Sequence, residues 1–163
     1  MYGNGLKSGS MRIGNDLIVF TKKNDALTVL FLSRTFHEKE HLDEVIVPVP
    51  SFNAITKKPL NDADLDLHKA EVAIILKYSP FKTIDALMKQ FDRISGNSGT
   101  LVVIYNLKLL DSGEPEVNFN DGDIELANIS NSEFGTDEAL YPEQKSFAAY
   151  CAILYMDPRM KVF

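Results

Sequence analysis

The chain has 163 residues, 45% of them hydrophobic, and its 17 Lys and Arg against 23 Asp and Glu give a net charge of −6. That suits one modest domain with a real core, and it does not supply the basic surface that nucleic-acid-binding domains normally show. A single cysteine, Cys151, argues against a disulfide framework, and no apolar run is long enough to span a bilayer.

The opening run, Tyr2-Gly3-Asn4-Gly5-Leu6-Lys7-Ser8-Gly9, is glycine-rich and ends in Lys and Ser. It does not read as a secretory signal. Glycines admit positive φ and let amides approach a ligand, and successive amides in such a turn form an anion nest. A short helical segment, 8–13, follows and adds its N-terminal partial charge, and Lys7 adds a full one. These residue types in this order point to a loop that binds a triphosphate. The spacing is not that of a Walker A loop.

Two runs rich in β-branched and aromatic residues, 17–20 and 27–32, flank the turn signal Lys22-Lys-Asn-Asp25 and predict a hairpin. A short third strand is expected at 45–47, ended by Pro48 and Pro50. Between the second and third strands, His37-Glu-Lys-Glu-His41 satisfies two zinc-peptidase patterns. It lacks the apolar periodicity of a buried active-site helix, so it reads as a polar surface helix or turn. The pairs Lys22-Lys23 and Lys57-Lys58 read as solvated.

Asp62 or Asp64 is expected to cap a helix running to about Leu76, with Leu65, Val72 and Leu76 on one side. Ser79-Pro80 breaks the chain. A second helix, 83–91, carries Ile84, Leu87, Met88 and Phe91 at i, i+3, i+4 and i+7. Gly96 to Gly99 reads as a loop, and 100–109 as the strongest strand. Residues 111–145 hold ten Asp or Glu and one Lys, the signature of a solvated loop or linker. A last strand is expected at 147–155 with Cys151 as a small buried hydrophobe. Met160 to Phe163 resembles the start of a further strand, so both ends of the sequence look cut.

Gly3-x-Gly5-x-Lys7-x-Gly9 resembles the ATP-lid motif of the GHKL ATPases, the superfamily that holds DNA gyrase, MutL and the histidine kinases. The longer string Tyr2-Gly-Asn-Gly-Leu-Lys-Ser-Gly-Ser-Met-Arg-Ile-Gly14 is similar to the lid of one GHKL family, the microrchidia (MORC) chromatin ATPases. Further matches follow in that family's order. They are Leu30-Phe-Leu-Ser-Arg-Thr-Phe36, Asp43-Glu-Val-Ile-Val-Pro48, Lys77-Tyr-Ser-Pro-Phe81, Gly99-Thr100 with its strand, Gly113-Glu-Pro-Glu116, Ser146-Phe147 and Leu154-Tyr-x-Asp-Pro-Arg-Met160. The resemblance covers nearly the whole chain and is closest to the branch that carries a CW-type zinc finger. Residues 55–69 and the acidic stretch after Val117 match poorly.

The resemblance implies an α/β two-layer sandwich: the C-terminal part of a Bergerat (GHKL) ATPase domain over 1–125, an acidic linker over 126–140, and the start of an S5-like transducer domain over 141–163. It implies that Tyr2, Gly3, Asn4, Gly5, Leu6, Lys7 and Ser8 line the phosphates of ATP, and that the Thr100 hydroxyl sits near the adenine end. The family's general-base Glu and Mg²⁺-holding Asn form an E-x-x-x-N motif ahead of the lid, and its adenine-reading D-x-G-x-G motif lies there too. By resemblance, then, no residue here is catalytic or a metal ligand, Mg²⁺ is held from outside this chain, and the chain alone is expected not to hydrolyse ATP. The wider expectations are an ATP-driven homodimer, DNA or chromatin as partner, no membrane, a nuclear location and a part in gene silencing. The alternative is a truncated, non-catalytic module that binds protein partners and no nucleotide.

Overall fold

The computed structural model describes residues 4–61, 64–120, 122–127, 141–157 and 160–162. The chain divides into two compact units, 1–107 and 108–163.

In the first unit, helix α1 (Asn4–Ile13) runs directly into strand β1 (Gly14–Lys23), which pairs antiparallel with β2 (Ala26–Ser33) through a turn at Asn24 and Asp25. Asn24 has φ of 52°, a left-handed value that asparagine tolerates. After helix α2 (Arg34–Lys39) comes β3 (Ser51–Asn53), then helix α3 (Leu65–Tyr78), helix α4 (Ile84–Met88) continued by a 3-10 turn (Lys89–Arg93), and β4 (Ser98–Leu107). The sheet order is β3-β2-β1-β4, all antiparallel.

One face of this sheet presents Ile18, Phe20, Leu27, Val29 and Phe31, all buried, to Ile75 of α3, Leu87 of α4 and Phe91 of the 3-10 turn. The result is the two-layer α/β sandwich expected. Both helical starts are capped, the first by one of the two residues the sequence suggested. Asp64 accepts from the Leu67 amide at 3.1 Å and Thr83 from the Ala86 amide at 3.2 Å. Asp62 lies outside the described residues. On α3, Val72 and Leu76 pack against the core as expected, beside the fully buried Ile75, while Leu65 is exposed. Ile84 on α4 is likewise exposed, while Leu87 and Phe91 form the core stripe.

The expected strand at 45–47 is absent, and the reason is proline. The amides of Val29 and Phe31 donate to the carbonyls of Pro50 (3.1 Å) and Pro48 (3.0 Å). The prolines have no N–H to donate in return. A regular two-way ladder therefore starts only after Pro50, at β3.

Gly14 marks where α1 meets the sheet. A Cβ there would lie 2.7 Å from Ile104 Cγ2 and 2.8 Å from the Tyr105 carbonyl oxygen. Gly14→Ala is expected to cost about 1–3 kcal/mol through this overpacking, read as a lowered urea midpoint. An unchanged midpoint would show that β4 yields without strain.

In the second unit, β5 (Val117–Asn120) and β6 (Asp123–Leu126) form a hairpin, followed by α5 (Pro142–Lys145) and α6 (Phe147–Leu154). Residues 147–154 are thus helical, against the strand expected. The Ser146 hydroxyl caps α6 by accepting from the Ala149 amide at 3.0 Å, and Ala148, Ala149 and Ala152 favour helix. Asp123 ties the hairpin to this cap. It accepts from the Ser146 hydroxyl, from the Ala148 amide at 3.0 Å and from the Ile124 amide at 2.7 Å. Those bonds, Ser146 first, hold its carboxyl below the usual range. Cys151 on α6 is half-buried. Residues 160–162 form no strand.

Candidate functional site

The glycine-rich segment is helical from Asn4, where the sequence suggested a loop. Neither Gly5 nor Gly9 has left-handed backbone, and nothing lies within 4 Å of where a Cβ would stand on either. By helix geometry, unpartnered amides are confined to the first turn, at Asn4, Gly5 and Leu6, while those of Ser8 and Gly9 bond back along the helix. The donor set is therefore a helix N-terminus, not a nest. Gly5, Leu6, Lys7 and Ser8 are all exposed. Tyr2, Gly3 and the Asn4 side chain lie outside the described residues. Two interior glycines make α1 a poor helix, each costing about 1 kcal/mol against alanine. Its hold on the sheet is at its C-terminal half, where Ser10 is buried.

Thr100 sits elsewhere on the same sheet. It opposes Thr21, seven residues along β1 from Gly14, a separation of about 23 Å at the rise of a strand. Thr100 thus lies toward the hairpin turn, at the other end of β1 from its junction with α1. Thr100 and Thr21 turn to the sheet face opposite the main core cluster, as do the neighbouring pairs Val102–Val19 and Ile104–Leu17, of which Leu17 and Val19 are themselves buried. The row continues across the sheet, with Thr21 opposite Thr28 and Thr28 opposite Ser51.

A second feature has no counterpart in the sequence reading. Asp16 is fully buried and accepts from the Ser33 hydroxyl (2.6 Å), the Thr35 amide (3.1 Å), the Thr35 hydroxyl (2.7 Å) and the Asn106 side-chain amide. Strand alternation would turn Asn106 to the opposite face from Tyr105, which is itself opposite Asp16. The φ of 50° at Asn106 breaks that alternation and lets its side chain reach Asp16. Only a lone acidic residue in a strand of apolar neighbours could have signalled this node.

Beside it lies an open depression of about 450 Å³, lined by Thr35, Lys39, Lys77, Tyr78, Lys82 and Asn106 among others. Most of its donors are already engaged. Thr35 and Asn106 bond Asp16, the Tyr105 hydroxyl donates to the Tyr78 carbonyl at 3.3 Å, and the Tyr78 hydroxyl donates to Glu40. Lys77 pairs with Glu40 at 2.7 Å and Lys82 donates to the Lys77 carbonyl at 2.9 Å. The Lys77 bond and then the Tyr78 bond pull the Glu40 carboxyl below its ordinary range. Burial, with the Asp16 carboxylate nearby, pushes the Tyr105 phenol up. The arrangement is a braced rim around α2 and the end of α3.

The histidine pattern is also resolved by geometry. His37 Nδ1 lies 2.6 Å from the Ser33 carbonyl and Nε2 accepts from the Ile46 amide at 2.8 Å, so both ring nitrogens hold backbone. Helix α2 ends at Lys39, and His41 has a φ of 52°, so the two histidines do not share a helical face. Lys57, with φ of 57°, sits in the tight turn after β3 that Asn53 organises by accepting from the amides of Ile55 and Thr56.

Comparison with known sequences gives a consistent set of matches. The family described as "Histidine kinase-, DNA gyrase B-, and HSP90-like ATPase" matches residues 1–69. Similar proteins include ATPase MORC2A of Mus musculus and ATPase MORC2 of Homo sapiens, each 56% identical over 99% of this chain. MORC family CW-type zinc finger protein 1 of Mus musculus is 54% identical, again over 99%. The chain spans 15% of the length of the first two relatives and 16% of the third.

Proposed function

Because the chain belongs to the MORC family of GHKL-type ATPases, we propose that it forms the lid and part of the sheet of an ATP-binding site. The observation that supports this most is α1 itself. The segment that resembles the family's lid is a helix beginning at Asn4 whose described first turns, Lys7 included, are exposed. Unpartnered amides, the helix dipole and an ammonium group are the donors a polyphosphate needs. The residues proposed to line it are Tyr2, Gly3, Asn4, Gly5, Leu6, Lys7 and Ser8, with Thr100 toward the base.

Bound ATP supplies the terminal phosphoryl group and the charge that the helix start meets. Lys7 orients that charge, and α1, weakened by its glycines, is the element that binding orders. The general base and the Mg²⁺ ligand are proposed to come from the E-x-x-x-N motif that the family carries ahead of the lid. The 163-residue chain alone is thus proposed not to hydrolyse ATP. In the native polypeptide, ordering of the lid closes a homodimer that acts on DNA or chromatin in the nucleus, in gene silencing or chromatin compaction. Residues 1–125, 126–140 and 141–163 are proposed as ATPase part, linker and transducer start.

Lys7→Ala in the native polypeptide is expected to weaken ATP binding about tenfold, the scale of one charge-assisted hydrogen bond. It is also expected to reduce ATP-driven dimerisation. Calorimetry and light scattering read the two. Unchanged affinity and dimerisation would leave α1 outside the nucleotide site, and a chain that binds proteins but no nucleotide would then be the better reading.

A further inference from the structure

The hydroxyl row across the sheet is not even in its bonding. Thr28 and Ser51 satisfy each other at 2.8 Å. Among the described residues, Thr21 and Thr100 give their hydroxyls no protein partner. They are directly opposed on β1 and β4, on the face opposite the main core cluster. Thr21 is half-buried and Thr100 exposed.

Opposed residues of an antiparallel pair hold their Cβ atoms about 4.5–5.5 Å apart. Two hydroxyls at that spacing suit one shared partner, an atom about 2.8 Å from each oxygen. Each hydroxyl can donate or accept, so the shared atom can be a ring nitrogen, an exocyclic amine or a bridging water. Two residues along β4, Val102 is 40% exposed and gives an apolar surface next to this polar pair. A flat heteroaromatic ring with one polar edge matches both halves. A sugar, with hydroxyls on both faces, does not.

We propose that Thr21 is a second base-recognition residue, which with Thr100 forms a two-hydroxyl clasp on the edge of the nucleobase. This rests on the reading of Thr100 as the base end of an ATP site. It adds a residue on a different strand and a defined division of labour. Lys7 and the start of α1 meet the phosphates, and the Thr21–Thr100 pair meets the base.

The test is ATP affinity of the native polypeptide carrying Thr21→Val, Thr100→Val, both together, Thr21→Ser or Lys7→Ala. Valine keeps the β-branched shape that the strands favour, so the sheet survives. Circular dichroism melting checks this. Each single valine is expected to weaken ATP about three- to tenfold. The double variant should lose little more than either single one, because the two hydroxyls share one partner. Thr21→Ser should bind ATP nearly as well as the unsubstituted protein. If Thr100→Val weakens ATP and Thr21→Val does not, the clasp is wrong and the ATP site stands. If both valines are neutral while Lys7→Ala weakens ATP, the clasp and the Thr100 assignment fail together. If all three substitutions are neutral, the nucleotide reading itself is lost.

Discussion

Asp16→Ala is expected to destabilise the first unit by about 3–5 kcal/mol. Asp16 is 0% exposed and receives four hydrogen bonds, from Ser33, from the amide and hydroxyl of Thr35, and from Asn106. Removing the carboxylate strands the buried Ser33 hydroxyl and the part-buried amide and hydroxyl of Thr35, while exposed Asn106 can turn to water; each buried orphan costs about 1–3 kcal/mol before relaxation. The Ser33 and Thr35 hydroxyls can rotate, and water can enter the space left, which keeps the sum below the full count. Ser33 also caps α2 by accepting from the Phe36 amide at 2.9 Å, so the start of α2 should loosen with it. Asp16→Asn is the informative control. Its amide still accepts through one oxygen, and the Thr35 hydroxyl can turn to accept from its NH₂, so about half the loss is expected. Urea unfolding gives the energies, and hydrogen exchange at the amides of Phe36 and His37 locates them. Equal stability of the alanine variant would mean that the four bonds merely replace equivalent solvation.

Phe20→Ala comes next in size, again at about 3–5 kcal/mol, the range for deleting a buried phenylalanine ring. Phe20 is fully buried at the centre of the core. Its ring meets Phe91 edge-on, with centroids 5.3 Å apart and planes at 89°, and Phe81 at 5.7 Å and 74°. Such pairs add about 0.5–1.5 kcal/mol each beyond area burial. Phe81 and Phe91 come from the loop after α3 and the turn after α4, so Phe20 joins the helical layer to the sheet. Phe20→Leu should recover about half the loss by refilling the volume without the edge contacts. The check is the urea midpoint together with the slope. A lowered midpoint at constant slope identifies lost packing, and a lowered slope a loosened native state. Loss of less than about 1 kcal/mol would place the centre of this core elsewhere.

The sequence spoke most clearly where one face of an element is buried. Runs 17–20 and 27–32 became β1 and β2, and the run after Gly99 became β4, because β-branched and aromatic residues at these densities suit a covered sheet. Asp64 was legible as a cap because the requirement is local. At 147–154 the apolar run was too short and too uniform to reveal its period, and the Ser146 cap and three alanines decided for helix. Gly5 and Gly9 misled in the opposite sense, since glycine permits a loop without requiring one. The place of Thr100 opposite Thr21, far along β1 from the end of α1, could not be read, because it depends on strand register. Asp16 carries no such local signal. Its four partners come from β2, α2 and β4, as much as 90 residues away, and no local pattern announces such a node.

Helix α1 ends at Ile13 and β1 begins at Gly14, so no residue of slack lies between them. Gly14 is closed in by Ile104 and the Tyr105 carbonyl, and Asp16 follows two residues later, clamped to Ser33, Thr35 and Asn106. A joint built this way behaves as a crank rather than a tether. Torque applied to α1 cannot be dissipated in a flexible connector. It arrives at the clamp within two residues and bears there on the first turn of α2 and the end of β4. Rotation of α1 is thus felt first at the open end of the hairpin, where the start of α2 and the end of β4 meet Asp16.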